Sequence, residues 1–197
     1  MKSIGITGSI ASGKSTVAKL MAGKKYPLFS ADQVVTNLYK NKKFIQKLIK
    51  KFNLNKNENI KEQIKVKLKE NKNNFKKLEK TIHPLVRREM RSYLKKRNKL
   101  VIFEIPLLLE SKLGKNFNTL VYVGAKKQVR LKRFLARKKS KSLFSLLSKR
   151  QMSPLLKQQK CDYTIHNNNS LFLRNSVEKP CTLKASSGTS LCGLIIL

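Results

Sequence analysis

A chain of 197 residues is long enough for one compact domain, or for a domain carrying an inserted subdomain, around a sizeable core. Hydrophobic residues make up 40%, and 45 Lys and Arg against 10 Asp and Glu leave a formal charge of +35, which excludes a neutral globule without indicating disorder. A field of that sign attracts polyanions, so nucleic acid, an anionic membrane and phosphorylated small molecules are the partner classes to separate.

The N-terminal segment separates them best. Lys2 to Thr7 is a short β-branched run that reads as a strand. Gly8-Ser-Ile-Ala-Ser-Gly13-Lys14-Ser15 follows, and a helical pattern starts at Thr16 and runs to Met21. This fits G-x-x-x-x-G-K-[ST] at every fixed position, with a strand before and a helix after, a context that a chance match lacks. Without side chains at Gly8 and Gly13 the loop can turn tightly and aim its N–H groups at phosphate oxygens, at the positive end of the following helix. Lys14 then reaches the terminal phosphates and Ser15 becomes a ligand for Mg²⁺, so a bound nucleoside triphosphate is the expectation.

Tyr26 to Phe29 reads as a second strand, with Ser30-Ala31-Asp32 at the carboxyl edge where open α/β sheets place their ligands. Asp32 is the candidate base for an attacking hydroxyl; the alternative is an N-cap for a helix starting near Gln33. Residues 40–99 then hold 22 Lys or Arg against five Glu. They lie on amphipathic helical patterns, such as Ile45, Leu48, Ile49 and Phe52 with Lys47, Lys50 and Lys51 on the other faces, which is the pattern of a solvated lysine surface. His83 precedes Pro84 here, a capping or packing residue or a ligand.

Leu100 to Glu104 has the form of a buried parallel strand ending in a carboxylate, and Glu104 is the candidate second acidic residue, near the metal. A short helix is expected after Pro106, with Glu110 on it. Thr119 to Val123 and Tyr163 to Ile165 add strands, and the alternation of strands and helices argues for a parallel sheet with helices on both faces. Between these two strands Arg130, Arg133 and Arg137 recur at i, i+3 and i+7, so one helix face can carry all three. Arg137 is the choice for a lid arginine that offsets charge building up on a transferring phosphoryl group, the alternative being a solvated basic face.

The other partner classes lack support. No apolar run approaches the roughly 18 residues of a membrane-spanning helix, and Met1 to Thr7 leads into glycines and a lysine rather than an apolar leader, so no membrane partner is expected. No zinc-finger spacing, aromatic RNA-binding signature or arginine-rich arm accompanies the charge, so specific nucleic-acid binding is not expected either. Cys161, Cys181 and Cys192 are odd in number and lack metal-ligand spacing. They read as reduced thiols, which with the missing leader points to a cytoplasmic location. Neither a heptad nor an apolar stripe calls for self-association. The stretch from Pro180 to Leu197 is small, polar and non-periodic before its apolar end.

Taken together, the segments Gly5 to Thr16, Ser30-Ala-Asp32, Leu78 to Arg87, Phe103 to Glu110, Arg133 to Arg137 and Cys161 to Asn167 resemble the dephospho-coenzyme A kinase family, in order, over roughly residues 1–179. The combination of the loop with His83-Pro84 and Pro106-Leu-Leu-Leu-Glu110 carries the specificity. Ser30 and Glu104 stand where the family usually has aspartates. The resemblance implies an α/β P-loop kinase fold, a three-layer sandwich with a mainly parallel sheet of about five strands, a helical insertion and a lid. In this chain it implies a nucleotide-binding core at 1–32, 99–136 and 151–179, an acceptor-binding insertion at 33–98 and a lid at 137–150. The segment 180–197 matches nothing in the family and from its composition is expected to be an atypical, disordered tail. The resemblance further implies transfer of the ATP γ-phosphoryl group to the ribose 3′-hydroxyl of dephospho-coenzyme A. Asp32, Lys14 and Arg137 would be catalytic, and Gly8, Ala11, Ser12, Gly13, Lys14, Ser15 and Thr16 would hold ATP. Asp32, His83, Arg87, Glu104 and Glu110 would receive the acceptor, with Ser15 and Glu104 at Mg²⁺. Another nucleoside or nucleoside monophosphate kinase is the alternative, followed by a nucleic-acid-binding protein switched by nucleotide.

Overall fold

The structure, a computed structural model, describes residues 2–95 and 99–168, with the backbone only of Lys72. The tail expected at 180–197, residues 169–179 of the expected core, and Cys181 and Cys192 lie outside the described residues.

Five short runs rich in Val, Ile, Phe and Tyr form the strands β1 (Lys2–Gly8), β2 (Leu28–Ser30), β3 (Leu100–Glu104), β4 (Thr119–Gly124) and β5 (Tyr163–His166). They pair in parallel in the order β2-β3-β1-β4-β5. β3 is a nearly continuous apolar run, and β1 is buried from Ser3 to Gly8, because both faces of a parallel sheet are covered. From β1 the chain crosses to β2 at one edge, then returns through β3 and continues to β4 and β5 on the other side. The sheet therefore reverses direction beside β1, the place where open α/β sheets bind ligands. In register, Ile6, Ser30 and Glu104 lie side by side at that carboxyl edge.

The helix α1 (Lys14–Ala22) covers one face, burying Val17, Ala18, Met21 and Ala22 against Ile4, Ile6, Ile102, Val121 and Val123. Each fully buried Val or Ile in this layer contributes about 1.5–3 kcal/mol. The sheet is completed by α6 (Lys127–Leu135), α7 (Lys141–Lys149) and α8 (Pro154–Gln159). Ser140 caps α7 by accepting the Leu143 amide at 3.3 Å, and Ser153 caps α8 by accepting the Leu156 amide at 3.3 Å.

Two compact units result, one running from the N-terminus to Ser30 and resuming after α5, the other beginning at Ala31 and ending with α5. The second unit is all helical: α2 (Ala31–Leu38), α3 (Lys42–Phe52), α4 (Ile60–Glu70) and α5 (Lys72–Lys95). Its own core gathers Phe44, Leu48, Phe52, Leu54 and Ile64, with Leu78, Ile82 and Leu85 of α5 packed against them. Asn41 and Asn59 cap α3 and α4 by accepting amides of their first turns.

Two local expectations need correction. After Pro106 the chain forms hydrogen-bonded turns through Lys112 rather than a helix, closed by Ser111 N–H to Leu107 O at 2.9 Å and Leu113 N–H to Leu108 O at 3.0 Å. The short segment instead lays Leu108 into the core, fully buried. The arginine helix α6 ends at Leu135, and Ala136 caps it with its amide on Lys132 O. Arg137 therefore sits in the turn just beyond the helix, its amide on Phe134 O at 3.2 Å.

Candidate active site

The phosphate-binding loop is built by backbone geometry that only some residues accept. Gly13 has φ +88°, and a Cβ there would lie 2.1 Å from Asn167 Nδ2; at Gly8 a Cβ would meet Val123 O at 2.2 Å. Two substituents are thereby forbidden where the chain passes closest to its neighbours. Gly13 offers no side-chain cap to α1, so the first-turn amides face the loop's concave side as a ready anion site. Ala11 is buried with Phe134 and Phe144, which seats the loop on α6 and α7. Ser12 is wholly buried, and its Oγ has no hydrogen-bond partner in the structure. A buried hydroxyl in that condition suits a loop whose partner is a bound phosphate.

The loop's carbonyls are held elsewhere. Lys14 is buried and donates from Nζ to Ser9 O at 3.0 Å. Asn167 Nδ2 donates to Ser12 O at 2.9 Å, and Arg133 forks onto Asn167, NH1 to its backbone O at 2.9 Å and NH2 to Oδ1 at 3.3 Å. On the other flank the Ile10 amide donates to Gln151 Oε1 at 2.8 Å.

Beside the loop, Glu104 is 3% exposed and accepts two hydroxyls, Ser15 Oγ at 2.6 Å on Oε1 and Ser30 Oγ at 2.9 Å on Oε2. The strand register explains the convergence: β2 and β3 end together, Ser30 level with Glu104, while β1 runs two residues past Ile6 before the loop leads into α1, so the last residues of β2 and β3 and the first turn of α1 meet at one edge. A serine hydroxyl and a carboxylate placed together beside phosphate-binding amides are the donor set a magnesium ion takes when phosphates supply its other ligands.

The remaining expected residues are distributed as follows. Thr16 is exposed in the first turn of α1. Asp32 is exposed in the first turn of α2, which begins at Ala31, so it lies inside the helix rather than at its N-cap. His83, half-buried, and Arg87, exposed, lie one turn apart on α5, the last helix of the second unit, with Pro84 inside the helix. Glu110 is in the first unit: its Oε1 meets Lys157 Nζ at 2.9 Å and accepts the Met152 amide at 2.9 Å. Arg137 is exposed, whereas Arg130 is buried, donates from Nε to Ala125 O at 3.1 Å and covers the Phe144 ring. Burial holds the Arg130 guanidinium below its usual range. Gln151, Lys157 and Asn167 were not picked out from sequence as parts of the loop's surroundings. Asn167 carried a signal, being the residue that follows the last strand, but a lysine in so basic a chain carries none.

A five-stranded parallel sheet of this order, its phosphate loop and its serine-carboxylate edge place the chain among the phosphate-loop kinases. Shikimate kinase from Bacteroides thetaiotaomicron has this fold at a TM-score of 0.56 and 14% identity, covering 90% of this chain and 94% of that one, a likeness of fold alone. More specifically, the family described as Dephospho-CoA kinase matches residues 2–172. The dephospho-CoA kinases of Fusobacterium nucleatum and Bartonella henselae are 36% and 35% identical, over 90% and 87% of this chain and 96% and 91% of theirs. The dephospho-CoA kinase structure from Campylobacter jejuni is similar at a TM-score of 0.63 and 29% identity, covering 90% of this chain and 94% of that one. A Thermus thermophilus structure reaches 0.76 at 29% identity, covering 88% and 92%. The chain belongs to the dephospho-CoA kinase family.

Proposed function

We propose that this protein transfers the γ-phosphoryl group of ATP to the ribose 3′-hydroxyl of dephospho-coenzyme A, giving coenzyme A and ADP, the last step of coenzyme A synthesis. Family membership supports the substrates. The observation that carries the chemistry is the convergence of Ser15 and Ser30 on Glu104 beside the Gly8–Ser15 loop. In the transfer, the bond from the γ-phosphorus to the β,γ-bridging oxygen breaks and a bond to the 3′-oxygen forms, while the hydroxyl proton leaves to a base.

In this reading the loop amides and Lys14 bind the phosphates, and the Lys14 ammonium exchanges its hold on Ser9 O for the terminal phosphates. Ser15 and Glu104 would hold Mg²⁺, which would supply positive charge to offset that of the transferring phosphates. Asp32, two residues beyond Ser30 in the chain, accepts the hydroxyl proton. His83 and Arg87, on α5 of the helical unit, receive the acceptor, whose pyrophosphate suits the basic 31–95 region. Arg137 belongs to a lid over residues 137–150 and meets the transferring group. Transfer in this reading is direct and in line, without a phosphoenzyme. In this reading the enzyme acts in the cytoplasm. Among the described residues no helix is long and apolar enough to cross a membrane.

The test is ADP release from Mg·ATP with dephospho-coenzyme A, adenosine or a nucleoside monophosphate as acceptor. Turnover with dephospho-coenzyme A alone is expected, and a preference for a nucleoside or its monophosphate would overturn the assignment.

A further inference from the structure

Carbonyl oxygens are the wrong end of the peptide dipole for a phosphate, so a loop that presents its N–H groups must have its C=O groups held elsewhere. Ser9 O is held by Lys14 Nζ at 3.0 Å and by the Ser12 amide at 3.2 Å, and Ser12 O by Asn167 Nδ2 at 2.9 Å. Gly13 O accepts the Thr16 and Val17 amides, each at 3.1 Å. The loop's first carbonyl, that of Gly8, faces Lys157.

Lys157, on α8, is 0% exposed. Its ammonium has three protons and three acceptors: Glu110 Oε1 at 2.9 Å, Pro106 O at 3.1 Å and, as a long ion-dipole contact, Gly8 O at 3.5 Å. Pro106 O also accepts Thr7 Oγ at 3.2 Å. One buried cation thus ties the end of β1 to the end of β3, at the edge from which the loop springs. The segment carrying it is fastened twice more, through Gln151 Oε1 on the Ile10 amide and the Met152 amide on Glu110. Packing alone does not require a cation here, since a buried ion pair seldom stabilises a fold more than an apolar pair of the same size.

We propose that Lys157 is a positioning residue of the ATP site: with Glu110 as its counterion, it holds the Gly8 and Pro106 carbonyls inward and so sets the aim of the Gly8–Ser15 amides. Glu110 then serves the nucleotide through Lys157 instead of touching the acceptor. The proposal rests on the reading that this loop binds ATP.

Two doubly neutral variants isolate the carbonyl contacts from the charge. Lys157→Met/Glu110→Gln removes the donor at position 157 from both carbonyls while Thr7 Oγ stays on Pro106 O, and Lys157→Gln/Glu110→Gln puts a side-chain amide back at that position, with the Glu110→Gln change common to both. ATP affinity is measured calorimetrically without acceptor, well below each variant's melting midpoint, alongside the KM of each substrate. The Met variant is expected to lose about tenfold in ATP affinity and the Gln variant about threefold or less, as for removal against weakening of one charge-assisted hydrogen bond. Equal affinities in the two variants would overturn the proposal, because the carbonyl donor would then be immaterial. So would a rise in the KM of dephospho-coenzyme A at unchanged ATP affinity, which would return Glu110 to the acceptor site. Should the Met variant fail to fold, Lys157→Leu/Glu110→Gln makes the same comparison. Wild-type turnover is measured first, so failure of the kinase reading appears there and failure of the positioning role only in the variants.

Discussion

In the proposed mechanism Asp32 is the base, and it lies two residues past Ser30 in the first turn of α2, outside the loop. Asp32→Asn keeps size and shape and removes only the proton acceptor. We expect kcat to fall by about 10²–10⁴ with ATP affinity unchanged, the span of a general base, in stopped assays of ADP release; a variant as active as the wild type would remove Asp32 from catalysis. Gly13→Ala should act on binding instead, since the new methyl meets Asn167 Nδ2 at 2.1 Å in a backbone at φ +88°. Calorimetry should find ATP binding lost, and normal affinity would show that the loop adjusts. Cys161 supplies a negative counterpart. Burial foremost, then the Asp162 charge, pushes its thiol up to about 12. Because the thiolate is the reactive form, about one part in ten thousand ionises at pH 8. Peptide mapping after alkylation of the native enzyme at that pH should find Cys161 unmodified, and rapid labelling would show the thiol to be accessible. At this scale Lys14 and Ser15 were readable because a fixed spacing ties them to phosphate chemistry. Lys157 was not, because its meaning comes from Glu110, 47 positions earlier, and from backbone carbonyls that no side-chain pattern encodes.

Elements supply what single residues cannot, namely the meeting of distant side chains. β2 is three residues long, yet its register sets Ser30 against Glu104 at the edge of β3. Glu104 is almost fully buried, so each hydroxyl that it accepts matters. Ser30→Ala deletes one of them while leaving Ser15 in place. A hydrogen bond to a charged group is worth about 1.5–3 kcal/mol, which in a chain of this size corresponds to a fall of roughly 3–12 °C in melting temperature. The concentration of Mg²⁺ needed for half-maximal activity should rise as well. Unchanged melting and Mg²⁺ dependence would show that Ser30 is incidental to the edge. The strands themselves were legible to within a residue or two, because β3 and β4 are written as apolar runs and β1 as a short β-branched run ahead of the glycine loop. The segment after Pro106 was not: proline at the start of an apolar run suggests a helix, but burying Leu108 in the core closes that run into turns. The arginine spacing misled for a related reason. Periodicity shows where a helix could continue, whereas the backbone leaves the helix after Leu135 and turns left-handed at Lys138, φ +55°.

The whole molecule is governed by a charge that neither its fold nor its two anionic substrates require. With +35 on 197 residues, repulsion opposes the compact state, while the same field draws ATP and dephospho-coenzyme A toward the protein. Neutralisation is mostly local where it is visible: Lys65 pairs with Glu62 and Lys67 with Glu70 on the exposed surface of α4, contacts worth little. Salt must therefore act on stability and on substrate binding in opposite directions. Raising ionic strength from about 0.01 M to 0.15 M shortens the screening length from about 30 Å to about 8 Å, which relieves repulsion among lysines spread over the helical unit. For every 1 kcal/mol of repulsion relieved, melting should rise by about 2–4 °C. Over the same range the KM for both substrates should increase, because their steering field is screened. A parallel titration with NaCl, reading melting temperature and KM on one preparation, checks both. If melting falls with salt, paired charges dominate and the lysines are not in mutual repulsion. If melting rises but neither KM moves, the excess charge lies outside the reach of the site and plays no part in capturing its anions.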